Sequence, residues 1–191
     1  MNMDEIILIG YGGHGKSVSD CIEREHKYKI VGYIDVHEVE SPYPYLGNDD
    51  KLQELYEQGI ENAAVCIGYL GKGEIRQNLY RKLKAIGFKF PVIKDPSAII
   101  ADSAEIGEGT FIGKGAIVNS EAVIGKMAII NTKALIEHEC KVADFSHVAV
   151  AAVLCGNVSI GQASFVGANA TIIQGRSIEP KFIVPAGAVI R

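Results

Sequence analysis

The chain has 191 residues, enough for one large domain or two small ones with a sizeable core. With 48% hydrophobic and 22% charged residues it is not a disordered chain, and four scattered cysteines without a C-x-x-C pair do not make a disulfide scaffold. A formal net charge of −4 argues against a nucleic-acid partner, and no apolar run reaches the roughly 18 residues that a membrane span needs. The opening MNMDEIILIGYGG runs straight into a strand-like segment and lacks the basic start of a secretory signal. A cytoplasmic protein with reduced thiols at Cys21, Cys66, Cys140 and Cys155 is the simplest expectation.

Residues 1–95 alternate strand and helix signals. IILIG (6–10) reads as a buried strand, GKSVSDCIEREHK (15–27) as an amphipathic helix, and KIVGYID (29–35) as a second strand ending in an acid. DDKLQELYEQG (49–59) is a helix closed by Gly59, with Asp49 or Asp50 available as its cap. NAAVCIG (62–68) is a third strand, GEIRQNLYRKLKAIG (73–87) a third helix, and KFPVIK (89–94) a last edge strand, because Pro91 cannot donate to a central ladder. The alternation implies a small parallel sheet with helices on both faces, half of a doubly wound (Rossmann-like) domain.

From residue 96 to 191 the pattern is different. Every sixth residue from Ile100 to Ile190 is Ile, Leu or Val. Chance would produce that with odds on the order of one in 10⁸. Two residues before each, a small side chain stands at thirteen of the sixteen positions, the exceptions being Val158, Arg176 and Phe182. Hexapeptide periodicity of this kind is the mark of a parallel β-helix. Each unit makes one short strand and one corner, and three units close a triangular coil. The aliphatic side chain fills the prism. The small residue turns the corner, and glycines such as Gly107, Gly113, Gly125, Gly161 and Gly167 relieve backbone strain there. Sixteen units make about five coils. Flat sides on such a prism favour packing against copies of itself, so a homotrimer is expected.

Three groups of residues invite a chemical reading. In GYGGHGK, Gly10, Gly12 and Gly15 form G-x-G-x-x-G between a strand and a helix, where free N–H groups favour phosphate. Asp35 ends the second strand, where an acid can bond a ribose or sugar hydroxyl. With only half a dinucleotide fold following, a nucleotide or nucleotide sugar fits better than NAD, and a purely structural turn stays open. The second group is IEHECKVADFSHV (136–148). His138 should lie at a corner facing outward, and Glu139 beside it could hold the imidazole tautomer and raise its basicity. One coil on is Gly156, whose N–H would sit about 5 Å along the stack. A base, an acid that tunes it and a nearby N–H suit acyl transfer without a covalent intermediate. Ordinary surface histidines are the bland alternative. A metal site is disfavoured, because Cys140 occupies a small inward position and the β-helix offers only His138 and His147. The third group, CIGYLGKGEIR (66–76), places Gly68 at the same sheet edge as the glycine loop, while Lys72 and Arg76 read as solvated helix-start charges.

The G-x-x-GHG loop, the acid ending the second strand, Ile67-Gly68 after the third, and NTKALIEHECKVADFSHV (131–148) together resemble a bacterial family. These are the left-handed β-helix acetyltransferases of nucleotide-linked amino sugars, with their relatives the sialic acid O-acetyltransferases. The likeness covers nearly the whole chain and is greatest to N-acetyltransferases of UDP-4-amino-sugars. It implies acetyl-CoA as co-substrate, with His138 as general base, Glu139 as the acid that raises its basicity, and the Gly156 N–H as oxyanion donor. It further implies His147, Ala168 and Ala186 as coenzyme contacts, Gly12, Gly13, His14, Asp35 and Gly68 as sugar-nucleotide contacts, and active sites between subunits of a trimer. Family members usually carry a short tail past the last coil, whereas this sequence ends at Arg191, and Val36 stands where relatives can carry a second acid. O-acetylation of a sialic acid, and a non-catalytic nucleotide-sugar-binding scaffold, are the alternatives.

Overall fold

A computed structural model describes residues 3–68 and 74–191. Two compact units divide between Ile93 and Lys94. The first unit is built on a three-stranded parallel sheet. Strand β1 (Asp4–Ile9) lies between β2 (Tyr28–Ile34) and β3 (Asn62–Val65). Ile6, Ile7, Leu8 and Ile9 are all buried, although successive side chains point to opposite faces, so both faces of the central strand are covered. Helix α1 (Gly13–Glu25) packs against β1 and β2, while α2 (Leu52–Glu57) and α3 (Glu74–Ile86) pack together and α3 against β3.

Two details of this unit differ from the sequence expectation. The cap of the second helical segment is Asn48, whose side chain accepts from the Asp50 N–H at 3.0 Å, so neither Asp49 nor Asp50 serves. The segment 89–94 does not add a fourth strand. Lys89 makes a single bridge to Asn62, and Ile93–Lys94 forms the first strand of a solenoid face instead. Pro91 explains the interruption, since a residue without an N–H cannot continue the ladder.

The second unit is a parallel β-solenoid of about five turns. Its two-residue strands fall into three sheets, each strand pairing with the one 18 residues on. Face one runs from Ile93–Lys94 to Ile183–Val184, face two from Ile99–Ile100 to Val189–Ile190, and face three from Glu105–Ile106 to Ser177–Ile178. The six-residue aliphatic positions form the prism core. Ile112, Ile130, Ile136, Val148, Leu154, Val166, Ile172 and Val184 are fully buried, and only the end-coil Ile100, Ile106 and Ile190 are partly exposed. Ala116, Ala122, Ala128, Ala134, Cys140, Ala152 and Ala170 are buried with them, so the small residue completes the core layer while it turns the corner.

Backbone strain is not carried by the glycines that follow the aliphatic residues. The left-handed residue lies three positions after the aliphatic one, at Glu121, Met127, Lys133, Glu139, Phe145, Ala151, Asn157, Ala163, Asn169 and Lys181, with glycine there only at 109, 115, 175 and 187. Gly107, Gly125, Gly161 and Gly167 are needed for a different reason: a Cβ would run into the backbone of the next coil. At Gly167 the obstacle is the Ala186 N–H and Cα. Gly167→Ala is therefore expected to destabilise the solenoid by about 1–3 kcal/mol through overpacking, read as a lower Tm. Gly175→Ala, whose Cβ would meet open space, should cost only the strain of its positive φ.

Candidate active site

On the solenoid, the corner between faces two and three carries His138. It follows inward Ile136, so its side chain points out from the prism. The imidazole Nδ1 lies 3.0 Å from Glu139 Oε2. Both side chains are about half exposed. Glu139 sits in the left-handed region at φ 59°, which turns its backbone so that neighbouring side chains can meet on the same corner. The His138 N–H is held by Glu137 Oε2 at 3.2 Å, and Glu137 Oε2 also accepts from Asn119 Nδ2 at 3.0 Å, tying the corner to the coil before.

One coil further on, Gly156 lies against the ring. A Cβ on Gly156 would come within 2.5 Å of both His138 Cε1 and Nε2. The glycine is thus required by the imidazole and not by backbone conformation, since it has no positive φ. The His138 carbonyl accepts the Asn157 N–H at 2.9 Å, which locks the two corners in register. A histidine whose Nδ1 faces a carboxylate leaves Nε2 to take a proton, and a backbone N–H in the neighbouring coil is a donor of the kind an oxyanion needs.

His147 begins a strand on face one, between Ile129 and Phe165 in the neighbouring coils. It points away from the prism but is buried on that face. Its Nε2 lies 3.2 Å from Asn131 Nδ2, and its ring meets Phe165 edge-on at 5.1 Å between centroids. Ala168 and Ala186 stand one above the other at the corner between faces one and two; the Ala168 carbonyl accepts from the Gly187 N–H, and Ala186 is exposed. They are not on the His138 corner, and face two separates the two corners. Among the described residues no group of three or more His, Cys, Asp or Glu side chains is placed to hold a metal ion. Cys140 is wholly buried in the prism.

The first unit holds the glycine loop. Gly10 turns out of β1 at φ 90° and donates to the Ile34 carbonyl at 2.7 Å. Gly12 is the N-cap of α1 and offers no side chain, and a Cβ at Gly12 or Gly13 would meet open space. The N–H groups of the first turn have no partner within the helix and stand at the positive end of its dipole. Gly15 is tightly placed, because a Cβ there would lie 3.0 Å from the Gly10 carbonyl oxygen. Asp35 closes the loop: its Oδ2 accepts the Tyr11 N–H at 2.9 Å and its Oδ1 the Val36 N–H at 2.7 Å. Beside it opens a cavity of about 400 Å³ whose walls include Gly10, Ile34, Asp35, Val36, Asn48 and Ile67.

His14 is in the first turn of α1 with Gly68 packed against its Cβ. Burial and then the charge of Arg76 depress its pKa to about 4. Arg76 is not the solvated helix-start charge the sequence suggested: it is 3% exposed, and burial lowers its pKa to about 10. Lys72, read the same way, lies outside the described residues. A histidine whose folded pKa is lowered binds fewer protons folded than unfolded between about pH 4 and 6.5. Stability therefore rises with pH through that window and is lost as pH falls through it, by about 3 kcal/mol at most. Thermal unfolding against pH should show this slope, and His14→Gln should flatten it.

The comparisons agree with this architecture. Residues 5–83 match the PglD N-terminal domain family. PerB from Caulobacter crescentus, solved with CoA and GDP-perosamine, is 33% identical with a TM-score of 0.94, over 100% of this chain and 90% of that one. The acetyltransferase domain of PglB from Neisseria gonorrhoeae FA1090, in complex with acetyl coenzyme A, is 28% identical with a TM-score of 0.90, over 99% and 93%. WeeI from Acinetobacter baumannii AYE, at 20% identity and a TM-score of 0.61, shares the fold. An α/β unit followed by a left-handed parallel β-helix, with 33% identity across the whole chain, makes this an acyltransferase of the sugar-nucleotide N-acetyltransferase family.

Proposed function

We propose that the protein transfers the acetyl group of acetyl-CoA to the amine of a nucleotide-linked 4-amino-sugar, with His138 as general base. The observation that carries this reading is the His138 imidazole seated on Gly156 with its Nδ1 3.0 Å from Glu139. The sugar amine attacks the thioester carbonyl. His138 Nε2 takes the proton the amine loses, and Glu139 stabilises the imidazolium through Nδ1. The Gly156 N–H meets the oxyanion. Collapse breaks the C–S bond, completes the amide and returns the proton to the departing CoA thiolate. No seryl or cysteinyl intermediate is required.

In this reading Gly12, Gly13, His14, Asp35 and Gly68 hold the sugar nucleotide. The open first turn of α1 receives a phosphate, and His14 stays neutral at physiological pH. His147, Ala168 and Ala186 contact the coenzyme. The sequence resemblance favours a UDP-linked acceptor, whereas the C. crescentus relative was solved with GDP-perosamine. We further propose a homotrimer with active sites between subunits, in the cytoplasm. Apolar side chains left exposed along the solenoid, Ile99, Val123, Val150, Phe182, Ile183 and Val189, support association of flanks.

The test is to mix the purified protein with acetyl-CoA and either a UDP- or a GDP-linked 4-amino-4,6-dideoxy sugar, and to follow free CoA with a thiol reagent. Rapid release with one of the two confirms N-acetyl transfer and identifies the nucleotide. Release only with a sialic acid acceptor would overturn the amino-sugar assignment.

A further inference from the structure

A peptide plane joins Cys155 to Gly156, and its two polar groups go opposite ways because a trans peptide holds C=O and N–H antiparallel. The Cys155 carbonyl is engaged from inside the prism. Cys140 Sγ donates to it at 3.1 Å, with the Leu154 carbonyl at 4.0 Å as a poorer second acceptor. The N–H of Gly156, antiparallel to that carbonyl, is thereby turned out of the prism, on a corner where the glycine also lies against the His138 ring.

This sulfur contact is one case of a repeated arrangement. At most corners the residue at the small position donates its N–H to the carbonyl three residues before, as Ala122 does to Asn119 and Cys140 to Glu137. At other corners a side chain from the previous coil takes that carbonyl instead. Thr110 donates to Gly125, Ser146 to Gly161 and Ser164 to Glu179, each fifteen residues on and within 2.8 Å. The same hydroxyls can accept the N–H they displace, as Thr110 accepts from Ala128 and Ser164 from Phe182. At 155–158 the inserted group is a thiol. The backbone of Val158 hydrogen-bonds to the Cys140 sulfur, as Ala128 does to the Thr110 hydroxyl.

The outward N–H is also left open. At Ser120, Thr132 and His138 the corresponding N–H is capped by the side chain of the residue before it, Asn119, Asn131 and Glu137. Cys155 stands in that place before Gly156 and has no oxygen to offer. Among the described residues no acceptor for the Gly156 N–H is found.

We infer that Cys140 is a positioning residue for the acetyl-transfer step: its buried sulfur orients the 155–156 peptide and so aims the Gly156 N–H at the developing oxyanion. This rests on the reading of Gly156 as the oxyanion donor. Fold retention is not at stake, because Ala104 and Ala122 occupy the same position in earlier coils of this corner.

The experiment compares Cys140→Ala, Cys140→Ser and His138→Ala in steady-state assays, with thermal unfolding as a control. Cys140→Ala should lower kcat about tenfold with KM for acetyl-CoA and acceptor unchanged, a fraction of the loss from deleting such a donor outright. Cys140→Ser, which keeps a donor of the kind used at Ser146 and Ser164, should return kcat to within about threefold of the wild type. Wild-type kcat in Cys140→Ala beside an inactive His138→Ala overturns the positioning role and leaves the proposed function standing. Equal losses in the alanine and serine variants, or a matched rise in KM, overturn it in favour of packing alone. Full activity in His138→Ala removes the function reading itself.

Discussion

His138→Ala is expected to lower kcat by about 10²–10⁴-fold while leaving the fold intact. The fold should survive because the imidazole is half exposed at a corner and contributes nothing to the prism, whose layer at this level is Ile136, Cys140 and Val142. The rate should fall because the group nearest Gly156, the His138 imidazole, is the one that takes the proton in the proposed step. Glu139 is close, but its carboxylate faces Nδ1 and not the ring edge over Gly156. Steady-state kinetics with a circular-dichroism control check this, and a variant with near-wild-type kcat would sink the assignment.

Gly156→Ala is the sharper experiment, because it adds one methyl group and removes nothing. The three nearest atoms to that methyl would be His138 Cε1, Nε2 and Cδ2, at 2.5, 2.5 and 3.2 Å. Nothing else in the solenoid would be touched first, and the backbone is not in the left-handed region. The ring must move by about 1 Å to reach ordinary contact, and displacement of that size can cost on the order of 10²-fold in kcat. Thermal stability should be unchanged or higher by about 0.4–1 kcal/mol, since alanine restricts the unfolded chain more than glycine does. The opposite is expected at Gly167, where an added methyl meets main chain and the loss appears in Tm. Combining Gly156→Ala with His138→Ala should be no slower than His138→Ala alone, because residues in contact are not additive. A clearly slower double variant would show that Gly156→Ala acts through something other than the imidazole.

Much of the solenoid site can be read from spacing alone. A coil of 18 residues converts sequence separation directly into adjacency, so His138 and Gly156 must stack, and Ile136 pointing inward obliges His138 to point out. The six-residue aliphatic period needs no tertiary information for the same reason: each coil repeats the same local conformation, and burial follows from the period. The glycines at Gly107 and Gly167 show where this breaks down. Their places were visible, but their purpose, clearance for the next coil's backbone, depends on how closely coils approach, while the strained corners fell to residues such as Glu139 and Asn157.

What the amino-acid order determined by itself was the division into an α/β unit and a β-helix, the core of the latter, and the His138–Glu139–Gly156 group, all consequences of local periodicity. What only the tertiary structure decided were contacts between segments with no fixed offset. Arg76 is buried and its charge acts on His14, although cations at a helix start ordinarily face water, because α3 packs against β3. Asp35 spends its carboxylate on the Tyr11 and Val36 amides, because the glycine loop folds back on the end of β2. Segment 89–94 keeps only the Lys89 bridge to the first sheet, because Pro91 breaks the ladder and Ile93–Lys94 finds a parallel partner in the solenoid. Periodicity dictates burial within a repeat, whereas the partners of an irregular segment are chosen by whichever surfaces the rest of the chain brings to it.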